Sequence, residues 1–261
     1  MPTTLAAPAS AVFRPATTLD EVIAQLDAVI ARSRRDNSRL GYFACLYRSV
    51  TVRVRDGIAD GRFQDGPRMA RLDVMFANRY LAALDAYQNG RPHSRSWKAA
   101  FDAATGSSLL ILQHLLLGMN AHINLDLGVA AAQTSPGRDL AALEHDFREI
   151  SRLLGEMLDE VQDKIARVSP WMGVLDWAGD RMDEQICNAG LGGSRDLAWR
   201  WAQRFASVEP ARLQHEIDAL DAMVAALAAP IAKPGGFLRP LLAIVRLREP
   251  KDVGKVLDAL A

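Results

Sequence analysis

The chain has 261 residues, of which 49% are hydrophobic and 24% charged, and its 31 basic and 31 acidic side chains give a formal net charge of zero. This composition is typical of a soluble globular protein that can bury a sizeable core. The balanced charge argues against a nucleic-acid partner. Cys45 and Cys187 are too few for a disulfide framework and have no metal-ligand spacing, so a reducing cytoplasmic location is expected.

The first 17 residues are rich in Ala, Pro, Ser and Thr. They lack the basic and uninterrupted apolar regions of a signal peptide, and we expect a disordered leader. Thr18-Leu-Asp-Glu21 fits a capping box, which predicts that a helix and the folded domain begin at residue 18. One helical domain is expected from there to residue 261.

Helical spacing of apolar residues continues through almost the whole chain. The β-branched run Val50–Val54 leaves a strand as an alternative inside the second helix. No repeat or long linker divides the pattern, which predicts an all-α, single-domain multi-helix bundle around a buried central helix. After the helix at residue 18, the expected helices are Ser38–Asp60, Pro67–Tyr87, Ser96–Ala104, Leu109–Ala132, Asp139–Val168, Met182–Asn188, Asp196–Ser207, Pro210–Ala229, Leu238–Arg248 and Lys251–Leu260.

The segment Leu109–Ala132 is apolar on nearly every side, which is typical of a buried helix. Its length also fits a membrane span. Polar residues in its second half are expensive in lipid, so no membrane span is expected. In a protein core such side chains must find partners, at a cost of about 1–3 kcal/mol for each one left unpaired. Five polar residues therefore predict a paired network, and we expect function here: His114, Asn120, His122, Asn124 and Asp126.

At 100° per residue, His122 and Asp126 share one side of this helix, and Asn120 and Asn124 share another. A carboxylate four residues from an imidazole can orient it as a general base. The same pair can supply two ligands to a divalent metal. The alternative is a satisfied core network that fixes the position of the helix. Gly118, one turn before His122, leaves room for a ligand or a neighbouring helix.

Asp73 is a second candidate, since it lies at the edge of an apolar face formed by Leu72, Phe76, Tyr80 and Ala83. A carboxylate at that edge needs a cation, a hydroxyl or a metal as partner. Arg79 is expected on the solvated side of the same helix. His114, alone among leucines, is expected to be a packed core histidine.

Two histidine–carboxylate pairs, His122-x3-Asp126 and His145-x3-Glu149, resemble the ligand spacing of the helical zinc-dependent phospholipase C and P1-nuclease class. That resemblance implies a multinuclear zinc site but rests on these two spacings alone. The charged residues around His145 favour a solvated helix face instead.

Three motifs in this chain resemble a bacterial, mainly actinobacterial, helical family catalogued as a domain of unknown function. The resemblance extends from about residue 17 to the C-terminus. The resemblance implies a compact helical protein and no particular activity. The motifs are Arg71-Leu-Asp-Val-Met-Phe-Ala-Asn-Arg-Tyr80, Gly118-Met-Asn-Ala-His-Ile-Asn-Leu-Asp-Leu127 and Ile244-Val-Arg-Leu-Arg-Glu249.

Two functions are compatible with these patterns. The first is an enzyme of unknown reaction acting on a small apolar molecule, lipid-, polyketide- or terpenoid-like, in a pocket of the bundle core. Its catalytic residues would be His122, Asp126 and Asp73, with a divalent metal on His122 and Asp126 as an option. The second is a non-catalytic helical binding or interaction protein whose polar network is structural. The expected substrate-binding residues of the enzyme are Asn120, Asn124, Asn78, Tyr80 and Met119.

Overall fold

A computed structural model describes residues 13–135, 139–169, 191–235 and 239–261. All regular structure in these ranges is helical, which confirms the all-α prediction. The helices, labelled α1 to α11, are Leu19–Arg35, Gly41–Ala59, Gly66–Gln88, Arg95–Thr105, Ile111–Thr134, Leu140–Glu156, Leu158–Val168, Leu191–Ser207, Pro210–Ala232, Arg239–Arg248 and Val253–Leu260.

One local prediction needs correction, and one alternative is excluded. The expected long helix over 139–168 is two helices, because a turn at Met157 separates α6 from α7. The run Val50–Val54 is helical inside α2, because its Val54 packs into the core between helices. The predicted helix Met182–Asn188 lies outside the described residues.

The start of the domain is fixed by side-chain caps. The Thr18 hydroxyl accepts the Glu21 backbone N–H at 3.2 Å, as the capping box predicts. The Glu21 carboxylate, however, accepts the backbone N–H of Thr17 at 2.6 Å. Residues 13–17, expected in the leader, pack on the bundle: Ala16 is buried, and its backbone forms two 2.8 Å hydrogen bonds with the Asn78 amide.

Helix α5 is the central element and contacts α2, α3, α4, α8 and α9. It is the one helix of the described residues that is long and apolar enough to cross a membrane. However, 83% of its apolar window is buried inside the protein, and the core helix of a bundle meets the same criteria. Polar positions in α5 therefore face other helices.

Three buried carboxylates from later in the chain accept hydrogen bonds at the starts of α3, α4 and α5. Asp146 accepts two backbone N–H groups just before α3, each at 2.8 Å. Asp221 accepts two at the start of α4, at 2.7 and 2.9 Å. Glu249 accepts the first N–H of α5 at 3.1 and 3.2 Å. Because the first N–H groups of a helix lack intrahelical partners, an acid there satisfies them and complements the helix dipole.

Candidate functional site

A π-helical segment, His122–Leu127, interrupts α5 at its polar residues. Such segments are rare and occur often at functional sites. His122 and Asp126 are neighbours there, as their spacing predicts, with His122 Nδ1 3.6 Å from Asp126 Oδ2. That distance exceeds a hydrogen bond, so the carboxylate acts on the imidazole through its charge.

Asp126 has closer partners on two other helices. Its Oδ1 accepts from Arg79 Nε and its Oδ2 from Trp97 Nε1, both at 2.7 Å. Burial raises the pKa of the Asp126 carboxyl, but Arg79, His122 and Trp97 outweigh burial and hold that pKa below its usual value. Asp126 is therefore a charged, fully bonded carboxylate.

Aromatic rings surround His122. Phe76 stacks flat on the imidazole, with centroids 3.5 Å apart and planes 8° apart. Tyr47 meets it edge-on at 4.3 Å, and Phe43 does so at 5.5 Å. Neither ring nitrogen of His122 has a hydrogen-bond partner among the described residues. Burial lowers the pKa of His122, against the opposing effect of Asp126, so the imidazole is neutral at neutral pH.

Asp73 lies one turn before Phe76 on α3 and is 3% exposed. Its Oδ2 has no partner in the described part of the chain. Burial raises the pKa of Asp73 to about 7. Burial also raises the pKa of Tyr47, and the charge of Asp73 raises it further. The Tyr47 ring lies 5.9 Å from the ring of Phe76, one turn after Asp73 on the same helix.

The hydroxyls of Tyr47 and Tyr80 complete this group of unpartnered atoms. Neither is hydrogen-bonded within the described residues, and the two rings lie 6.1 Å apart. We call the side chains of Tyr47, Asp73, Tyr80 and His122 the unpaired cluster. Native cores leave few buried polar atoms unpaired, so four such side chains in one region need an explanation.

A model described as "Family of unknown function (DUF5995)" matches residues 19–234. The chain belongs to this family. The matched range contains the unpaired cluster and both partners of Asp126. The comparisons with curated proteins and with solved structures gave no match.

In this DUF5995 protein, the asparagines of α5 point away from the unpaired cluster. Asn120 Nδ2 donates to the Val224 carbonyl at 3.0 Å, and Asn120 Oδ1 accepts from Asn124 Nδ2 at 2.9 Å. This ladder joins α5 to α9, although Asn124 Oδ1 has no described partner. The amide of Asn78 is engaged by the backbone of Ala16, and Met119 packs among apolar side chains of two core clusters. Of the five expected substrate-binding residues, Tyr80 lies beside the His122 ring, with centroids 6.3 Å apart, and Met119 packs against the apolar cluster that contains the rings around it.

The space beside Gly118 is filled by a neighbouring helix. A Cβ added at this glycine would lie 2.5 Å from a ring carbon of Phe43 on α2. The same Phe43 ring packs edge-on against His122 and Tyr80. The missing side chain thus lets α2 approach and helps to form the wall around the imidazole.

The donor set does not fit a divalent cation. In the ranges that the structure describes, no group of three or more His, Cys, Asp or Glu side chains could hold a metal. Both Asp126 oxygens are occupied by N–H donors, one of them on the cation Arg79. A metal role for His122 and Asp126 therefore stays a prediction without support from these side chains.

The second histidine–carboxylate pair of the zinc resemblance also faces other partners. The His145 side chain is 55% exposed and lies beside Asp146. Glu149 is buried and accepts from Arg62 Nε at 2.6 Å, with Arg152 as a second partner. The solvated face expected around His145 is confirmed for Glu144, His145 and Arg148, whose side chains are exposed. It is wrong for Asp146 and Glu149, which are buried and bonded to other helices and loops.

Three residues of the site, Arg79, Trp97 and Tyr47, are not predicted by the sequence pattern. Arg79 was expected on the solvated side of α3, which is wrong, because its side chain lies over α5 and is only 26% exposed. Trp97 and Tyr47 were not singled out. A signal existed for Trp97, since a buried indole N–H needs an acceptor and a buried carboxylate needs a donor.

Proposed function

We propose that this protein is an enzyme that transfers a proton on a small, largely apolar molecule, with His122 and Asp73 as the acid and base groups. The observation that carries the proposal is the unpaired cluster, four buried side chains that each have at least one polar atom without a described partner. A ligand that bonds to these atoms would remove the cost of burying them unpaired. The surrounding Phe43, Phe76 and Trp97 favour an apolar ligand body.

Both proposed groups suit proton transfer near neutral pH. A group whose pKa lies near the working pH can both give and take a proton, and the pKa of Asp73 is about 7. The imidazole of His122 is neutral, so one nitrogen is free to accept a proton and the other can donate. The Asp126 carboxylate, held by Arg79 and Trp97, lies 3.6 Å from His122 and would stabilise the imidazolium that forms.

Ligand screening tests this proposal. Lipid-, polyketide- and terpenoid-like compounds are screened by thermal shift, and the binders are incubated in deuterium oxide while mass spectrometry follows deuterium uptake. We expect uptake with wild type and its loss in His122→Phe and Asp73→Asn. The control is His114→Phe, which removes another buried histidine, packed against Tyr42 rather than in the unpaired cluster. Failure of every compound to bind, or uptake that survives in His122→Phe, would overturn the proposal.

A second candidate, the non-catalytic helical binding protein, is favoured by a different part of the network. Asp126, Arg79 and Trp97 satisfy one another, and Asn120 bonds to the backbone of α9. These contacts join helices and need no ligand to explain them. Under this alternative Tyr47→Phe would lower the unfolding midpoint, whereas under the enzyme proposal it raises the midpoint because an unpaired hydroxyl is removed.

A further inference from the structure

The side chains around His122 offer little uncompensated charge to a ligand below pH 7, where Asp73 is mostly protonated. Arg79 and Asp126 neutralise each other through a 2.7 Å ion pair. Burial keeps His122 neutral and raises the pKa of Asp73 to about 7. A charged ligand would be buried here without a counter-charge, which is costly. The electrostatics of the site therefore favour an uncharged ligand.

The unpaired cluster is rich in hydrogen-bond donors. The hydroxyls of Tyr47 and Tyr80 can each donate, the protonated form of Asp73 can donate, and a neutral imidazole has one N–H. Burial raises the pKa of both tyrosines, so both keep their protons. An apolar molecule without an acceptor atom would leave these donors unpaired. The complementary ligand carries at least one oxygen.

We propose that the ligand is an uncharged molecule bound through a carbonyl or phenol oxygen. This oxygen lies between the Tyr47 hydroxyl and the Asp73 carboxyl. The inference rests on the proposed function. The Tyr47 ring lies 4.3 Å from the His122 ring and 5.9 Å from the Phe76 ring, which is one turn after Asp73 on α3. Tyr47 thereby becomes a binding residue of the site.

This placement permits one balanced step with a carbonyl substrate. A C–H bond next to the carbonyl breaks, and its proton goes to the free nitrogen of His122. The electron pair forms a C=C bond, and the carbonyl oxygen takes the negative charge. Donors fixed toward that oxygen stabilise it as the charge develops, and here those donors are Tyr47 and protonated Asp73.

The half-buried members of the site mark its approach from solvent. Phe76 and Arg79 are partly exposed, whereas Tyr47, Tyr80 and His122 are buried. Because the Phe76 ring lies flat on the imidazole, a flat ligand that displaced it would gain the same stacking contact with His122. A small aromatic probe with a single oxygen therefore suits the site.

Four matched probes test the inference by isothermal titration calorimetry at pH 6 on the full chain: toluene, p-cresol, benzoate and benzylamine. We expect p-cresol to bind about tenfold more tightly than toluene, the value of one net hydrogen bond of about 1.4 kcal/mol. Benzoate and benzylamine should bind more weakly than p-cresol. The preference for p-cresol should disappear in Tyr47→Phe and persist in Tyr87→Phe, which removes an exposed hydroxyl paired with Asp102.

The outcomes separate this inference from the proposed function. Equal affinity for toluene and p-cresol would overturn recognition of the oxygen and leave an apolar binding site in place. If benzoate or benzylamine bound most tightly, the proposal that the ligand is uncharged would be overturned. A p-cresol preference that survives in Tyr47→Phe would overturn the position of the oxygen. Binding of none of the four would count against both the inference and the proposed function.

Discussion

Arg79 on α3 and Asp126 in the π-helical segment of α5 form an ion pair, with Nε 2.7 Å from Oδ1, in which the carboxylate is only 2% exposed. The guanidinium is 26% exposed, so one partner lies in the core and the other reaches toward solvent. The pair joins the two helices that carry Asp73 and His122. It also holds a negative charge next to a neutral imidazole.

Replacing Arg79 with leucine should destabilise the fold by about 3 kcal/mol, because Asp126 would be left charged and buried with Trp97 as its remaining donor. Chemical denaturation measures this loss. The control is Arg148→Leu, which breaks an exposed pair with Glu144 and should cost less than about 1 kcal/mol. Equal losses in the two variants would mean that the Asp126 pair is an ordinary surface interaction.

Gly118→Ala should destabilise the protein by about 1–3 kcal/mol, because the new methyl group would lie 2.5 Å from the Phe43 ring. Gly155→Ala is the matched control inside α6, where no atom lies within 4 Å of an added Cβ. That substitution should stabilise by about 0.5–1 kcal/mol through helix propensity. If Gly118→Ala behaves like the control, Phe43 does not pack as closely as the structure shows.

Local patterns were sufficient to predict much of the fold. The all-round apolar character of α5 identified the central helix, and the spacing of His122 and Asp126 made them neighbours. Both features depend on residues within one helix. The Thr18 cap likewise depends on a contact only three residues long.

The partners of those residues could not be predicted from local patterns. Trp97 reaches Asp126 across 29 positions and Arg79 across 47, while Glu249 caps α5 from 138 positions away. Such contacts depend on how helices cross, and apolar periodicity says little about crossing geometry. The π-helical turn is equally invisible to a pattern that assumes 100° per residue throughout. The burial of Arg79 could not be predicted because its partner, Asp126, lies on another helix.

Asp221→Ala should weaken the start of α4 and cost about 2 kcal/mol, since it removes the acceptor for two backbone N–H groups and for the Ser96 hydroxyl. Hydrogen exchange should become faster at the amides of Arg95 and Ser96. Asp218→Ala, which removes an exposed acceptor of the Gln214 amide, should change stability by less than about 0.5 kcal/mol. Unchanged exchange at Arg95 in Asp221→Ala would show that α4 is held by its other contacts alone.

Asp73 should make the protein less stable as pH rises. Its pKa is about 7 in the folded protein and 3.8 without burial, so the folded state binds more protons between these values. Stability therefore falls as pH rises through this window and levels off above pH 7. Between pH 5 and pH 8 the contribution of Asp73 amounts to a loss of about 2–3 kcal/mol. Denaturation of wild type at a series of pH values measures the slope.

Asp73→Asn isolates this effect, because asparagine has a similar shape and does not titrate. At pH 5, where Asp73 is protonated, we expect the variant and wild type to have similar free energies of unfolding. At pH 8 the variant should exceed wild type in stability by the largest margin. Asp102→Asn, at an exposed carboxylate beside Tyr87 and Lys98, should leave the pH dependence of wild type unchanged. Parallel pH curves for wild type and Asp73→Asn would mean that Asp73 titrates near its ordinary value. The carboxyl would then be charged at neutral pH and unable to donate a hydrogen bond to a ligand oxygen.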